Sequence, residues 1–182
     1  GAVSDIFSTL QVVKPTTFSS TPRLWNELHQ QFLDSLSTAQ ATIQKTDTPT
    51  SVDFLRKECL GSLRGILGGR TKSIGTGGAS TALDVLQFMR DCFECAVVDG
   101  YGATEVGSIS WDGVQNAAIE TKLIDRPDMG YTSADQPFPR GEICVRSPVG
   151  ITGYYKNAAE NEAKFTADGW YRTGDIGEKR AP

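Results

Sequence analysis

The chain has 182 residues, 38% hydrophobic, 9% aromatic and 22% charged, which fits one domain or two lobes around a packed core and excludes wholesale disorder. Eighteen Lys and Arg against 22 Asp and Glu give a net charge of −4, the wrong sign for a chain whose main partner is a nucleic-acid backbone. No run reaches the roughly 18 apolar residues of a membrane span, and the start does not read as a secretion signal, so a cytoplasmic setting is expected.

Residues 5–18 contain the strand-like Leu10-Gln11-Val12-Val13, the element expected to exchange if copies of this chain self-associate. Thr21-Pro22-Arg23-Leu24-Trp25 then opens an amphipathic helix: a capping threonine, a proline at the first helical position, and Leu24, Leu28, Phe32 and Leu36 at four-residue spacing. Residues 37–50 are almost all Ser, Thr, Gln, Ala, Asp and Pro and read as a polar surface loop or disordered insertion. Ser51 starts a second helix carrying Val52, Leu55, Cys59, Leu63 and Ile66, stopped by Gly68-Gly69.

A strand over 71–74 leads to Gly75-Thr76-Gly77-Gly78-Ala79-Ser80 and a helix whose Thr81-x-x-Asp84 reads as a capping box. Ala96-Val97-Val98-Asp99 follows as an apolar strand of the kind covered on both faces, and strand, helix, strand implies a parallel crossover. Beyond Glu105, short strands are expected at 108–111, 121–124, 141–146 and 151–155, a short helix at 157–165, and a turn at Asp168-Gly169 before 170–175. The fold class is therefore α/β: a parallel αβ subdomain over residues 1–111, then a smaller antiparallel, β-barrel-like subdomain over 112–182.

Four cysteines, Cys59, Cys92, Cys95 and Cys144, are too sparse for a disulfide scaffold. Cys92-x-x-Cys95 lacks two further zinc ligands, and it ends a helix rather than starting one, so two small buried residues are the better reading. His29, the one histidine, is a weak basis for a Ser-His or Cys-His hydrolase. The chemistry points instead to three loops at strand ends, where α/β sheets place ligands. Gly75–Ser80 is not a P-loop and on its own reads as a tight turn more readily than as a ligand loop. In residues 99–107, Gly100, Gly102 and Gly107 permit close backbone approach, Tyr101 offers a flat ring, Thr104 a hydroxyl and Glu105 a hard carboxylate suited to Mg²⁺. In residues 169–175, Asp175 reads either as a turn aspartate or as an acceptor for both hydroxyls of a ribose.

Taken in order, Tyr-Gly-Ala-Thr-Glu at 101–105, Gly-Glu-Ile-Cys-Val-Arg-Ser at 141–147, Gly-Tyr-Tyr at 153–155 and Tyr-Arg-Thr-Gly-Asp at 171–175 resemble the core signatures of the adenylate-forming, AMP-binding superfamily. Pro22-Arg23-Leu24-Trp25 with Gly77-Gly78-Ala79 looks like the fatty acyl-CoA synthetase branch. Leu67-Gly68-Gly69-Arg70, 98–102, 127–131 and 139–142 look more like adenylation domains of carboxylic acid reductases. The resemblance implies Gly77, Gly78 and Ala79 beside the adenine and acyl pocket, Tyr101 and Gly102 at the nucleotide, and Asp175 at the ribose. It implies Thr104 and Glu105 as the catalytic pair, with Thr104 at the α-phosphate and Glu105 at Mg²⁺. ATP, AMP and Mg²⁺ would be the cofactors, a fatty or aryl carboxylic acid the substrate, and CoA or a phosphopantetheine carrier the acceptor.

The family's upstream phosphate loop and its C-terminal catalytic lysine have no counterpart in these 182 residues, so the chain looks like an excised piece of the large domain, inactive alone and prone to self-association. The reading is thus a part of an ATP-dependent, AMP-forming carboxylate-activating enzyme. The alternative within the class is the adenylation domain of a carboxylic acid reductase; from another class, it is a nucleotide-binding or structural module without turnover.

Overall fold

A computed structural model describes residues 3–46 and 51–180, and the chain divides into two units, Gly1–Gly100 and Tyr101–Pro182. The first comprises α1 (Val3–Val13), β1 (Thr17–Ser20), α2 (Pro22–Thr46), α3 (Val52–Arg64), β2 (Ser73–Gly77), α4 (Leu83–Phe93) and the start of β3 (Ala96–Ala103). β1, β2 and β3 run parallel, with Phe18 opposite Ile74 and Gly75 opposite Val98. The β2–α4–β3 stretch is therefore the expected crossover.

The four-residue spacing on α2 buries Leu24, Leu28 and Phe32 together with Trp25. Trp25 is fully enclosed: its ring meets Phe18 and Phe93 edge-on at 5.7 and 5.9 Å, and its indole N–H donates to the Gly75 carbonyl at 3.1 Å. This one side chain joins a helix to both sheet and crossover. α3 is capped as expected, the Ser51 hydroxyl accepting from the Phe54 N–H, and Arg64 fastens its end to α4 through the Cys92 carbonyl (2.8 Å) and Glu94 (2.6 Å).

Several expectations change. Leu10-Gln11-Val12-Val13 is helical, not a strand: Leu10 is buried in the core while Val12 and Val13 face outward, a helical rather than a period-two pattern. The strand lies later, at β1. The polar run after Ser37 continues α2 to Thr46, with the Thr38 and Thr42 hydroxyls donating to the carbonyls of Asp34 and Thr38. A helix extension on the surface needs no apolar stripe when its polar groups are satisfied locally. Residues 47–50 of the expected loop lie outside the described residues. The strand expected at 71–74 is Ser73–Gly77. The Thr81 capping box does not form, because the Thr81 hydroxyl is buried against the Thr76 hydroxyl at 2.8 Å and Asp84 accepts from the Val85 N–H instead. β3 is only half-buried at Val97 and Val98 rather than covered on both faces.

The second unit contains residues 101–103 of β3, a β4–β5 hairpin (Gly107–Trp111 and Val114–Gln115), β6 (Glu120–Ile124), β7 (Arg140–Arg146), α5 (Ala158–Lys164) and β8 (Tyr171–Glu178). β6, β7 and β8 form an antiparallel sheet, open rather than closed into a barrel. Ile109 of the hairpin shares a buried cluster with Val106, Ile119, Val145 and Tyr171. The hairpin therefore packs within this unit, which starts at Tyr101. Residues 151–155 do not form the expected strand: the Asn161 side chain takes both backbone groups of Tyr154 in place of a neighbouring strand. Trp170 enters β8 between two cations, with Lys122 Nζ 4.5 Å and the Arg146 guanidinium 4.4 Å from its ring.

Replacing Trp25 by alanine removes an enclosed ring and leaves the Gly75 carbonyl without its indole donor. The expected cost is about 3–5 kcal/mol in urea unfolding of the 182-residue chain; a loss near ~1 kcal/mol would mean that the sheet and helices do not depend on this contact.

Candidate functional site

In the first unit, Gly77 ends β2, and the Gly100 carbonyl occupies the space a side chain at Gly77 would need. Gly78 and Ala79 follow on an exposed bend. Ala79 and Ser80 border an open groove of about 640 Å³ whose other wall is the start of α2, from Thr21 to Gln30. His29 packs against Phe32 and Phe88, and burial pushes the Cys92 thiol up to about 12, so both serve as core side chains. These are placements within one unit.

The second unit holds the remaining candidates. Between the pairs Glu142–Ile176 and Cys144–Arg172, one residue of β7, Ile143, faces three of β8: Thr173, Gly174 and Asp175. The extra residues bulge outward, and a bulge of this kind re-aims a side chain. Gly174 supplies the left-handed backbone (φ +83°) that a side chain disfavours. The Thr173 hydroxyl donates to the Ile143 carbonyl at 2.9 Å and accepts from the Asp175 N–H at 3.0 Å, so the bulge closes on itself. Exposed Asp175 then meets Tyr101, whose hydroxyl donates to its Oδ2 at 2.7 Å. Burial, with the neighbouring Asp175 carboxylate, raises the Tyr101 pKa above the ordinary phenol value. Tyr101 and Asp175, 74 residues apart, are thus one structural pair.

Thr104 and Glu105 form the tight turn from β3 to β4, closed by the Val106 N–H on the Ala103 carbonyl at 3.1 Å. The turn is narrow because Gly102 lies against the next strand: a Cβ there would stand 2.5 Å from the Gly107 carbonyl oxygen. Gly102 therefore packs backbone on backbone. Glu105 Oε1 accepts from the Tyr154 hydroxyl at 2.7 Å, and its main-chain carbonyl accepts from the Ile151 N–H at 2.8 Å. The Tyr154 bond, the residue's own N–H, Tyr171 and the charge of Lys164 hold this carboxyl below the usual range. Glu105 is consequently ionised at neutral pH.

Among the described residues no group of three His, Cys, Asp or Glu side chains is placed to hold a metal. A single ionised carboxylate on a turn nevertheless fits Mg²⁺, which is commonly held by one or two carboxylates together with substrate phosphates. Residues behind these loops brace them, in roles that the motifs containing several of them did not indicate. Glu142 is buried and faces Arg126 at 3.4 Å and Arg172 at 3.7 Å, which braces the residue preceding the bulge. Tyr154 and Lys164 likewise complete the surroundings of Glu105; the Gly-Tyr-Tyr run was the only signal in the sequence for the first.

Comparison with known proteins identifies the family. The family described as "AMP-binding enzyme" matches residues 2–155. The peroxisomal long-chain acyl-CoA synthetase 7 of Arabidopsis thaliana is 36% identical over 203 residues, covering 97% of this chain and 29% of its own length. The adenylation domain of a carboxylate reductase from Mycobacterium chelonae superposes with a TM-score of 0.85 at 31% identity, covering 99% of this chain and 28% of that one. The corresponding domain from Segniliparus rugosus, solved with AMP and a co-purified carboxylic acid, gives 0.82 at 30% identity, again over 28% of its length. The chain spans less than a third of each relative. With a family match over most of its residues and the Tyr101–Asp175 and Glu105 loops built as described, this chain belongs to the AMP-binding enzyme family.

Proposed function

We propose that the protein carrying this chain activates a fatty or aryl carboxylic acid with ATP, giving an acyl-adenylate and pyrophosphate, and passes the acyl group to a thiol with release of AMP. The observation that carries the reading is the bulge at residues 173–175, which sets Asp175 against Tyr101 in the same unit as the ionised Glu105. A carboxylate is a poor acyl donor, and its attack on a triphosphate is opposed mainly by charge repulsion; positioning and charge neutralisation lower that barrier. In this scheme the Tyr101 ring lies against adenine, Asp175 accepts the ribose hydroxyls, and Thr104 donates to the α-phosphate. Glu105 holds Mg²⁺, which supplies charge neutralisation when bound with the nucleotide. Gly77, Gly78 and Ala79 border the adenine and acyl groups.

The acceptor is CoA or a phosphopantetheine carrier. The TM-score of 0.85 to a carboxylate reductase adenylation domain favours the carrier as the second reading. Among the described residues no helix is long and apolar enough to cross a membrane. Free Cys59, Cys92, Cys95 and Cys144 support a reducing, cytoplasmic setting.

In the full-length protein, Glu105→Ala is expected to lower kcat for pyrophosphate exchange by about 100-fold or more, because a metal contact acts on charge that develops in the transition state. Asp175→Ala should raise KM for ATP roughly 10- to 100-fold with little change in kcat, since a ribose contact is nearly the same in ground and transition states. Equal falls in kcat with unchanged KM would contradict these roles.

The 182 residues alone are expected to give no ATP–pyrophosphate exchange and to self-associate. Exposed Val52 and Phe54 on α3 and exposed Leu83 on α4 support the second expectation. Exchange assays and light scattering over a concentration series check both; turnover by a clean monomer would overturn them.

A further inference from the structure

The loop after β7 has no regular structure, yet it grips one residue twice. Its Ile151 N–H donates to the Glu105 main-chain carbonyl at 2.8 Å, and its Tyr154 hydroxyl donates to Glu105 Oε1 at 2.7 Å. Main chain and side chain of Glu105 are therefore tied to the same short segment. The segment is itself fastened. Asn161 on α5 accepts from the Tyr154 N–H at 2.6 Å and donates to the Tyr154 carbonyl at 3.1 Å. The Tyr154 ring meets Phe165 edge-on at 6.2 Å, and Phe165 meets buried Tyr171 at 5.4 Å. The adjacent Tyr155 is the opposite case: it is 87% exposed, with the Lys156 ammonium 5.2 Å from its ring. Of two consecutive tyrosines, one is held at backbone, ring and hydroxyl, and that one ends on the carboxylate.

We infer that Tyr154 is a positioning residue for Glu105, holding its carboxylate in one orientation to receive a nucleotide-bound divalent cation. The inference rests on the reading of Glu105 as the metal-facing group. A phenol suits the task better than an ammonium, since it donates one directional bond without bringing a second positive charge to a site meant for a cation. Tyr171 and the charge of Lys164 also face Glu105, but Tyr154 supplies its 2.7 Å side-chain bond. Removing a hydrogen-bond partner of a metal-binding carboxylate typically weakens metal affinity or activity 10- to 100-fold.

The test uses the full-length protein with Tyr154→Phe, Tyr155→Phe and Glu105→Ala. Mn²⁺ binding to the ATP complex is read by electron paramagnetic resonance without carboxylic acid, and pyrophosphate exchange is measured at saturating Mg²⁺. Tyr154→Phe should bind Mn²⁺ roughly 10- to 100-fold more weakly and lose kcat while keeping KM for ATP; Tyr155→Phe should match the wild type in both. A folded Tyr154→Phe protein with wild-type Mn²⁺ affinity, alongside a Glu105→Ala protein that has lost it, overturns the inference and leaves the proposed function intact. Wild-type protein showing neither Mn²⁺ binding with ATP nor exchange overturns both. Should Tyr154→Phe fail to fold, Asn161→Ala, which frees the backbone clamp and keeps the hydroxyl, decides: weakened Mn²⁺ binding supports the inference, and unchanged binding overturns it.

Discussion

One residue of β7 facing three of β8 is the constraint from which the candidate site follows. An antiparallel ladder places side chains alternately on two faces, so a regular strand through Thr173, Gly174 and Asp175 would fix where Asp175 points. The bulge releases it from that alternation, and the Thr173 hydroxyl, bonded to both Ile143 and Asp175, replaces the ladder bonds that are lost. Buried Glu142, with Arg126 and Arg172, braces the strand pair beside the bulge. Glu142 is buried while both arginines stay partly exposed, so removing them would leave its carboxylate without a compensating charge beside the bulge.

The Glu105 turn applies the same logic with different parts. Close backbone contact at Gly102 makes the turn narrow, the Ile151 and Tyr154 bonds orient it, and the ionised state of the carboxylate follows from its hydrogen bonds. Both loops thus present an acidic group whose direction is set by neutral donors. Such preorganisation suits the proposed reaction between anions, because groups assigned there to the substrate need not be rearranged when charge develops.

Much of this was legible in the sequence. Spacing located the buried face of α2, the Ser51 cap and the β2–α4–β3 crossover, because each depends on residues within one or two turns of one another. Motif order singled out Tyr101, Thr104, Glu105 and Asp175. The pairings were not legible: Tyr101 with Asp175 is separated by 74 residues and Tyr154 with Glu105 by 49, and no local pattern encodes a contact at that range. The misread elements have local causes. Val12-Val13 has strand propensity but sits beyond Leu10 on a helix that packs by that leucine, and the Ser/Thr/Gln run extends α2 because its hydroxyls bond back to the preceding turn.

In the proposed function, the bulge aims Asp175, together with Tyr101, at a nucleoside. A crystal structure of the full-length protein with AMP tests this most directly. The ribose hydroxyls are expected within hydrogen-bonding distance of the Asp175 carboxylate and the adenine against the Tyr101 ring, with the 173–175 bulge unchanged. AMP bound away from these two side chains, or a β8 that runs straight through Asp175, would contradict it.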